Sequence, residues 1–291
     1  MDHILYRVPG SLSLKKNMDT SNMNRSEYLM ESTEETLRLD LKTDAKIVEQ
    51  QALWAGIKPG MRVADLGFGS GKTTFYLHKL VQPNGEVVGV DIAEDRINYA
   101  KKNYNKKGIE YILKDIREPL DNLGMFDFIW VRFVLEYYRS ESFNIVKNIS
   151  SILKPGGIIC LIDLDYNCLN HFGLSKRLKR TIHGVTKAME KNADFDPYVG
   201  IKLYSFLYDL GYQNIDVSMA PHHLIFGELN KRDAFNWTKK LEVAVKRLGY
   251  DFKEYNGGYE EFFEEFTQFF SDPRRFTYTP LISCKGRKAL N

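Results

Sequence analysis

Short, mostly apolar runs alternate with helix-like segments along the first half of the chain, and this alternation restricts the fold more than any other feature. The runs are MRVADLG (61–67), EVVGVDI (86–92), IEYILKDI (109–116), FDFIWVR (126–132) and IICLIDLD (158–165). Because they lack a strict apolar–polar alternation, both faces of each strand should be buried, as in a parallel sheet covered by helices. Crossover handedness then favours a doubly wound α/β fold.

The pattern changes on both sides of these runs. A helical pattern precedes them over about residues 34–54, and residues 166–195 are predicted to be helical and basic. Further helices and two further strands follow, the last strand at 276–287. That strand should begin late or contain a bulge at Pro280, because proline has no N–H to donate to a sheet. His222 and His223 are predicted to point to opposite faces of a strand and so to form a poor metal pair.

These changes divide the chain into six predicted regions. They are an N-terminal arm or lid (1–45), a ligand-binding core (46–165), a helical cap insert (166–195), a continuation of the core (196–227), a second helical cap segment (228–273), and a last core strand with a tail (274–291).

Composition is that of a folded protein without an obvious macromolecular partner. Of 291 residues, 43% are hydrophobic and 27% charged, which is in the globular range. The mean hydropathy of −0.37 and the lack of an 18-residue apolar run predict no membrane span. A net charge of +3 does not require a nucleic acid. Three cysteines without CxxC spacing, and no secretory pattern at the N-terminus, predict a reduced cytoplasmic protein with no metal site.

The segment VADLGFGSGKTT (63–74) places several glycines between the first strand and the following helix. Glycine allows positive φ and removes Cβ, so a ligand can approach the backbone closely. The helix that follows offers free N–H groups and the positive end of its dipole. A ligand with an anionic or strongly polar group is therefore expected at this turn.

Three ligand classes use loops of this kind, and the spacing separates them. A Walker A loop requires a glycine five residues before Gly71, where this chain has Leu66. A dinucleotide fingerprint requires a third glycine where this chain has Lys72, whose side chain would obstruct helix–strand packing. The pattern DxGxGxG is complete at Asp65, Gly67, Gly69 and Gly71.

That third pattern resembles motif I of the class I S-adenosylmethionine (SAM)-dependent methyltransferases. Further along, Asp91 ends the second strand, where the family has an acid that binds both ribose hydroxyls, and Ile92 would contact the adenine. Asp115 ends the third strand, where the family uses an acid for the adenine amino group, with Ile116 beside it. A carboxylate suits a cis-diol because it can accept two charge-assisted hydrogen bonds.

The resemblance covers about residues 43–165. The turn LKPGG (153–157) is similar to the subgroup that includes ubiquinone and menaquinone C-methyltransferases and many small-molecule enzymes. It implies a Rossmann-like fold with a mostly parallel seven-stranded sheet and helical cap insertions. It also implies SAM as the cofactor, bound by Asp65, Gly67, Phe68, Gly69, Gly71, Asp91, Ile92, Asp115, Ile116, Arg132 and Phe133.

The acceptor should lie above the ends of the fourth and fifth strands. Candidate side chains there are Glu136, Tyr137, Asp163, Asp165 and His171, of which Asp163, His171 and Tyr137 are the candidates for catalysis. The chain lacks the [DN]PP[FY] sequence of base and amide N-methyltransferases and the Pro-Cys nucleophile of cytosine-C5 enzymes, so a nucleic acid is disfavoured. Phe262, Phe266 and Phe269 recur at helical spacing and are predicted to pack inside the cap. An apolar cap suits a small, partly hydrophobic acceptor.

Three rival functions fit the same residues. One is a SAM-binding protein without turnover, the second is an RNA methyltransferase, and the third is an NAD enzyme. The sequence does not specify the acceptor, the atom methylated or the oligomeric state.

Overall fold

The predicted parallel strands form one part of a mixed sheet. The structure, a computed structural model, describes residues 33–242 and 248–290. Within these residues the sheet has eight strands: β1 (Arg62–Leu66), β2 (Glu86–Asp91), β3 (Ile109–Leu113), β4 (Phe126–Arg132), β5 (Leu153–Leu164), β6 (Asn170–Phe172), β7 (Gln213–Phe226) and β8 (Phe276–Arg287).

The helices of the described residues lie on both faces of this sheet and beyond one end of it. They are α1 (Thr33–Lys42), α2 (Ala45–Ala55), α3 (Lys72–Leu80), α4 (Glu94–Tyr104), α5 (Ser142–Ser151), α6 (Lys176–Asn192), α7 (Leu203–Asp209), α8 (Lys231–Lys240) and α9 (Gly258–Ser271). None of the helices in the described part of the chain combines the length and apolar character needed to cross a membrane.

The strand order places a switch point beside β1. The order is β3-β2-β1-β4-β5-β8, with β7 on the outer side of β8 and β6 paired to the first residues of β8. Strands β1 to β5 are parallel, whereas β8 runs antiparallel to its neighbours. From β1 the chain extends the sheet first towards β3 and then towards β5. The helices that follow β1 and β4 pack on opposite faces of the sheet, which opens a crevice at the carboxyl ends of the strands.

Burial on both faces explains the apolar runs. In β4, Phe128 and Trp130 pack with α2 and α3 on one face, whereas Ile129 and Val131 pack with α5 and α7 on the other. All four side chains are at most 1% exposed. The doubly wound, mostly parallel fold is thus confirmed, and its core extends across both layers.

The count of seven strands is wrong by one, because β6 lies inside the segment predicted to be helical. Its three residues pair with Phe276–Tyr278 at the start of β8. Strand β5 reaches only Leu164, opposite Leu281, so the first part of β8 extends beyond it. Backbone groups in a sheet need partners, and β6 supplies them on that edge. Helix α6 begins only at Lys176.

The prediction for the last strand is wrong: β8 neither begins late nor contains a bulge at Pro280, and the bulge lies in its partner strand β7. Pro221 pairs with Pro280 and His223 with Thr279, which leaves His222 as the extra residue in β7. A bulge interrupts the alternation of side chains. The prediction that His222 and His223 point to opposite faces is therefore wrong, and their ring centroids lie 4.3 Å apart.

The helix predicted over residues 34–54 is two helices, α1 and α2, separated at Asp44. The carboxylate of Asp44 accepts hydrogen bonds from the N–H groups of Lys46 (2.8 Å) and Ile47 (3.4 Å). An aspartate in this position starts a new helix by satisfying its first N–H groups. The break turns α1 away from α2 and towards α4 and the glycine loop.

Helices α6, α8 and α9 share an apolar cluster separate from the two sheet layers. Phe262, Phe266 and Phe269 are 1%, 3% and 9% exposed, which confirms their predicted packing role. This group is called the helical cap below.

Gly71 should be among the least replaceable residues of the loop after β1. Its φ is +85°, and a Cβ there would lie 2.5 Å from the Cβ of Ala100. We expect Gly71→Ala to lower the free energy of unfolding by about 2–4 kcal/mol, from left-handed strain plus overpacking. Urea denaturation would measure the loss.

Gly60→Ala is the matched control. Gly60 has a similar φ of +83°, but a Cβ added there would have no atom within 4 Å. We expect a loss of only about 1 kcal/mol, from strain alone. Equal losses for the two variants would show that contact with α4 does not restrict Gly71.

Candidate functional site

A cleft opens at the switch point of the sheet, between the loop after β1 and the ends of β2, β3 and β4. It contains about 1090 Å³ of space free of protein atoms, including its open mouth. The predicted cofactor residues that line it are Asp65, Gly67, Phe68, Gly69, Asp91, Ile92, Asp115, Ile116, Arg132 and Phe133. Gly71 faces α4 instead.

The glycine loop needs its glycines for two different reasons. Gly67 and Gly69 have φ values of +75° and +65°, which side chains rarely adopt. A Cβ at Gly67 would also lie 2.4 Å from a methyl group of Val134 in the loop after β4. The first glycine therefore lets the loops after β1 and β4 approach each other, and the backbone forms the floor of the cleft.

Asp91 connects the glycine loop to the end of β2. Its Oδ2 accepts a hydrogen bond from the Gly69 N–H at 2.9 Å, and its Oδ1 accepts one from the Ala93 N–H at 3.1 Å. Arg96 Nη1 lies 3.5 Å from Oδ2, with both side chains at most 8% exposed. A carboxylate oxygen has two lone pairs, so each oxygen can still accept a hydrogen bond from a ligand hydroxyl.

Asp65 lies at the end of β1 beneath the loop. Its Oδ2 accepts a hydrogen bond from the Thr74 hydroxyl at 2.7 Å. Burial, which outweighs the favourable hydrogen bond and the charge of Arg132, raises the pKa of Asp65 to about 7. The carboxyl is therefore partly protonated near neutral pH.

Asp115 lines the cleft at the end of β3 but is already bound by a neighbour. Both of its oxygens accept hydrogen bonds from the Arg117 guanidinium, at 2.6–3.0 Å. Partial burial opposes ionisation, yet these hydrogen bonds hold the pKa of Asp115 below its ordinary value. The Arg117 backbone N–H also donates to Oδ1 at 2.9 Å, so the carboxylate is fixed in position.

Phe133 has an unusual backbone conformation directly after β4. Its φ is +60°, and its N–H donates to the carbonyl of Ile162 at 2.9 Å. The ring is in contact with three basic side chains: the Arg132 guanidinium at 4.1 Å, the Lys42 ammonium at 5.3 Å and the His222 ring at 4.9 Å between centres. Such strain is tolerated where surrounding contacts fix a functional conformation.

Glu136 and Tyr137 form the far wall of the cleft. Glu136 is 4% exposed, accepts a hydrogen bond from Asn167 Nδ2 at 2.7 Å, and is hydrogen-bonded by the Tyr137 side chain. Burial raises the pKa of Glu136, and the charges of Lys240 and Lys42 oppose that rise. Tyr137 is thus the one predicted catalytic candidate that reaches the cleft.

The other two catalytic candidates lie outside it. Asp163 is 1% exposed and accepts hydrogen bonds from the N–H groups of Glu136 and Leu164, at 3.2 and 2.9 Å. Burial, reinforced by the charge of Glu136, raises the pKa of Asp163 well above its ordinary value. Its hydrogen bonds support the loop after β4 from within the core.

His171 lies in β6 beneath the helical cap. Its Nδ1 is 2.9 Å from the Thr277 hydroxyl and its Nε2 is 3.0 Å from the carbonyl oxygen of Cys168. Burial lowers the pKa of His171 to about 4, so the ring is neutral. Both ring nitrogens have partners, and the residue does not line the cleft.

The structure adds side chains from α1 and β7 that the sequence patterns did not indicate. Arg38, Leu39, Lys42 and Thr43 line the cleft from α1 and its C-terminal end, and His222 lines it from the bulge in β7. Among the described residues, the buried Nε2 of His222 has no hydrogen-bond partner. Burial, and then the charge of Lys42, lowers the pKa of His222, so its imidazole is neutral. These residues come from distant segments, so no local motif could have found them.

The described residues contain no cluster of three or more His, Cys, Asp or Glu side chains arranged to hold a metal ion. The three cysteines, all within the described part of the chain, are free thiols.

The raised pKa of Asp65 gives a prediction for stability. A carboxyl that binds its proton more tightly when folded loses stability as pH rises from about 4 to about 7, the window between its unfolded and folded pKa. Asp65→Asn cannot ionise but can still accept from Thr74. We therefore expect its melting temperature, relative to the unchanged protein, to be higher at pH 8 than at pH 5.

Asp127→Asn is the control for this pH comparison. Partial burial opposes ionisation of Asp127, but the Lys154 ammonium and the Arg62 N–H hold its pKa below the ordinary value. It is ionised in both states between pH 5 and pH 8, so its relative melting temperature should not change across that range. The same absence of change for Asp65→Asn would contradict the raised pKa.

Comparison with known proteins agrees with this geometry. A family model described as a methyltransferase domain matches residues 57–218, which is more than half of the chain. The demethylmenaquinone methyltransferase of Lactococcus lactis subsp. lactis (strain IL1403) is 31% identical over 113 residues, covering 38% of this chain and 44% of that protein. The chain thus spans about half the length of the curated relatives that it matches.

Two solved structures share the fold at low identity. Phosphoethanolamine N-methyltransferase 2 of Haemonchus contortus, in complex with SAM, aligns with a TM-score of 0.57 and 14% identity, covering 94% of this chain and 61% of that one. The [4+2]-cyclase SpnF aligns with a TM-score of 0.51 and 15% identity, covering 85% and 82%. From the family match and this shared Rossmann-like architecture, we conclude that the chain belongs to the methyltransferase domain family, of class I fold.

Proposed function

We propose that this chain is a SAM-dependent methyltransferase that acts on a small molecule. The observation that carries the proposal is the cleft at the switch point, where Asp65, Asp91 and Asp115 from three adjacent strands lie beside a glycine loop. This rim of a parallel sheet is where such folds bind ligands. The donor set is suited to a nucleoside, since carboxylates accept hydrogen bonds from hydroxyl and amino groups.

The lining residues can be assigned to parts of SAM. Asp91 would bind the ribose hydroxyls and Asp115 the adenine amino group, with Ile92 and Ile116 against the adenine faces. Ile92 is 38% exposed, more than a residue of the buried core, and its apolar side chain lies at the mouth of the cleft. An adenine ring would cover that exposed apolar surface.

The methionine end of SAM would lie between the glycine loop and the start of the loop after β4. Gly67 and Gly69 leave space for it, and Phe68 closes the loop against Tyr111, with ring centres 5.0 Å apart. Arg132 and Phe133 form the opposite side. The Arg132 guanidinium gives this end positive charge, which complements a carboxylate.

Catalysis would rest on alignment. SAM supplies a methyl group activated by a sulfonium; an acceptor lone pair forms the new bond to carbon while the C–S electron pair returns to sulfur. Holding the reacting groups in line can contribute about 7–11 kcal/mol. Glu136 and Tyr137 lie at the wall that such an acceptor would approach. Where the acceptor must lose a proton, Glu136 is the carboxylate in reach.

A small acceptor is favoured over RNA. The space beyond Tyr137 is lined mostly by apolar side chains, with Lys240 as its basic residue, and does not form a basic groove. The relative from L. lactis is named for a small-molecule substrate, which supports the same class. Three free thiols are compatible with a reducing cytoplasm.

A SAM-binding protein without methyl transfer is the second candidate. It is favoured by the fold likeness to a [4+2]-cyclase, which shows that this architecture is not confined to one reaction. Incubation with methyl-labelled SAM and a pool of small aromatic metabolites distinguishes the two. We expect labelled product and stoichiometric S-adenosylhomocysteine; SAM binding without either product would favour the second candidate.

Asp91 provides the sharpest test of cofactor binding. We expect Asp91→Ala to weaken SAM binding at least tenfold in titration calorimetry, because it loses both the ribose contact and the hydrogen bond that fixes Gly69. Asp91→Asn keeps an acceptor for the Gly69 N–H and should lose less. Asp95→Ala, an exposed acid on α4, is the charge-matched control and should bind SAM normally. Unchanged affinity in Asp91→Ala would refute the ribose assignment.

A further inference from the structure

A second cavity lies under the helical cap, next to the cleft. It contains about 760 Å³ of space free of protein atoms, including its mouth, and is walled by α6, α8 and α9 together with the segment after β5. Tyr137 lines both the cleft and this cavity. The two spaces are therefore adjacent, with the Tyr137 side chain as their common wall.

The walls of the cavity are aromatic and apolar. Trp237 and Phe266 stack with ring centres 5.9 Å apart and planes 24° apart, and Phe262 and Phe195 continue the surface. All four are at most 5% exposed, so they pack mainly on one another and offer the cavity a ring face or edge. Aromatic walls of this kind favour a flat apolar ligand, which can make offset-stacked or edge-to-face contacts with them.

One wall of the cavity has a positive charge. Lys240 lines it, with its Nζ 5.1 Å from the Trp237 ring centre and 3.5 Å from Cys168 Sγ. Its charge interacts with that of Glu136, which is hydrogen-bonded by Asn167 and Tyr137. A half-buried ammonium beside apolar rings can also bind an anionic ligand group.

Basic side chains also cluster beside the cleft. Lys42 interacts with Lys240 and Arg132, and burial together with these charges lowers the pKa of Lys42. Arg132 interacts with the acids Asp65 and Asp163. Lys240 is the basic side chain of this group that lines the cap cavity, so it is the one placed to stabilise an anion there.

The geometry points to the cap cavity as the acceptor site, and to the acceptor as a flat aromatic molecule that carries a carboxylate or phenolate held by Lys240. This inference rests on the proposed methyltransferase function. The aromatic body stacks among Trp237, Phe262 and Phe266, and the anionic group lies at the lysine. The methyl-accepting atom then faces the cleft beside Tyr137.

Two fluorescent probes that differ by one charge test this assignment. They are 8-anilinonaphthalene-1-sulfonate, a flat aromatic anion, and N-phenyl-1-naphthylamine, the same ring system without the sulfonate. We expect Lys240→Met to weaken binding of the anionic probe at least tenfold and binding of the neutral probe less than twofold. Lys240→Arg keeps the charge and should restore most of the anionic probe's affinity.

Matched variants locate the probe and the charge. Lys239→Met removes a neighbouring ammonium that pairs with Glu242 at 2.9 Å, and it should leave both affinities unchanged. Met189→Trp narrows the cavity and should weaken the binding of both probes. Phe226→Ser alters an exposed apolar face of the sheet, where Phe226 is 61% exposed. It should not change the affinity of either probe.

The variants test the lysine and the cavity separately. If the anionic probe binds Lys240→Met as tightly as it binds the unchanged protein, the assignment of the anion to Lys240 is overturned. Loss of probe binding in Phe226→Ser would place the probe on the sheet surface and overturn the cavity site. SAM affinity is measured on the same samples by calorimetry. Absent SAM binding would refute the proposed function alone, whereas normal SAM binding with an indifferent Lys240 would refute only this inference.

Discussion

The contact between the Asp91 carboxylate and the Gly69 N–H is the interaction on which the site depends. It joins the loop after β1 to the end of β2, and Arg96 balances the buried charge. A buried carboxylate without these partners would be costly, so the loop, the strand end and α4 adopt one arrangement together. The positive φ of Gly69 is compatible with that arrangement only because the residue has no side chain.

The cleft and the cap cavity differ in the side chains that line them. The cleft is bordered by acids at the ends of β1, β2 and β3, which suits a cofactor rich in hydroxyl and amino groups. The cap cavity is aromatic with lysine at its wall, which suits a flat anion. Tyr137 and Glu136 lie where the spaces meet. Separate sites that share one wall allow a donor and an acceptor to be aligned without competing for the same contacts.

Local sequence patterns predicted correctly those features that depend on neighbouring residues. Continuous apolar runs follow from strands buried on both faces, and the glycine spacing follows from the φ values that the loop requires. The resemblance to methyltransferases then indicated ten residues that the structure brings into one cleft. The patterns gave wrong predictions where the conformation of a segment depends on a strand distant in sequence. The length of β8 required β6 inside a segment predicted to be helical, and Pro280 placed a bulge on the opposite strand, which brought His222 and His223 together.

The sequence alone was enough to predict the α/β alternation and ten of the cleft-lining residues, because these depend on short-range periodicity or on residues at the end of a strand. Long-range packing determined which catalytic candidates reach the cleft. Tyr137 does, whereas Asp163 and His171 are buried elsewhere with their polar atoms satisfied. It also brought Lys42, His222 and Lys240 to the same junction from α1, β7 and α8. Side chains so distant in sequence become neighbours only through long-range packing, which no local pattern records.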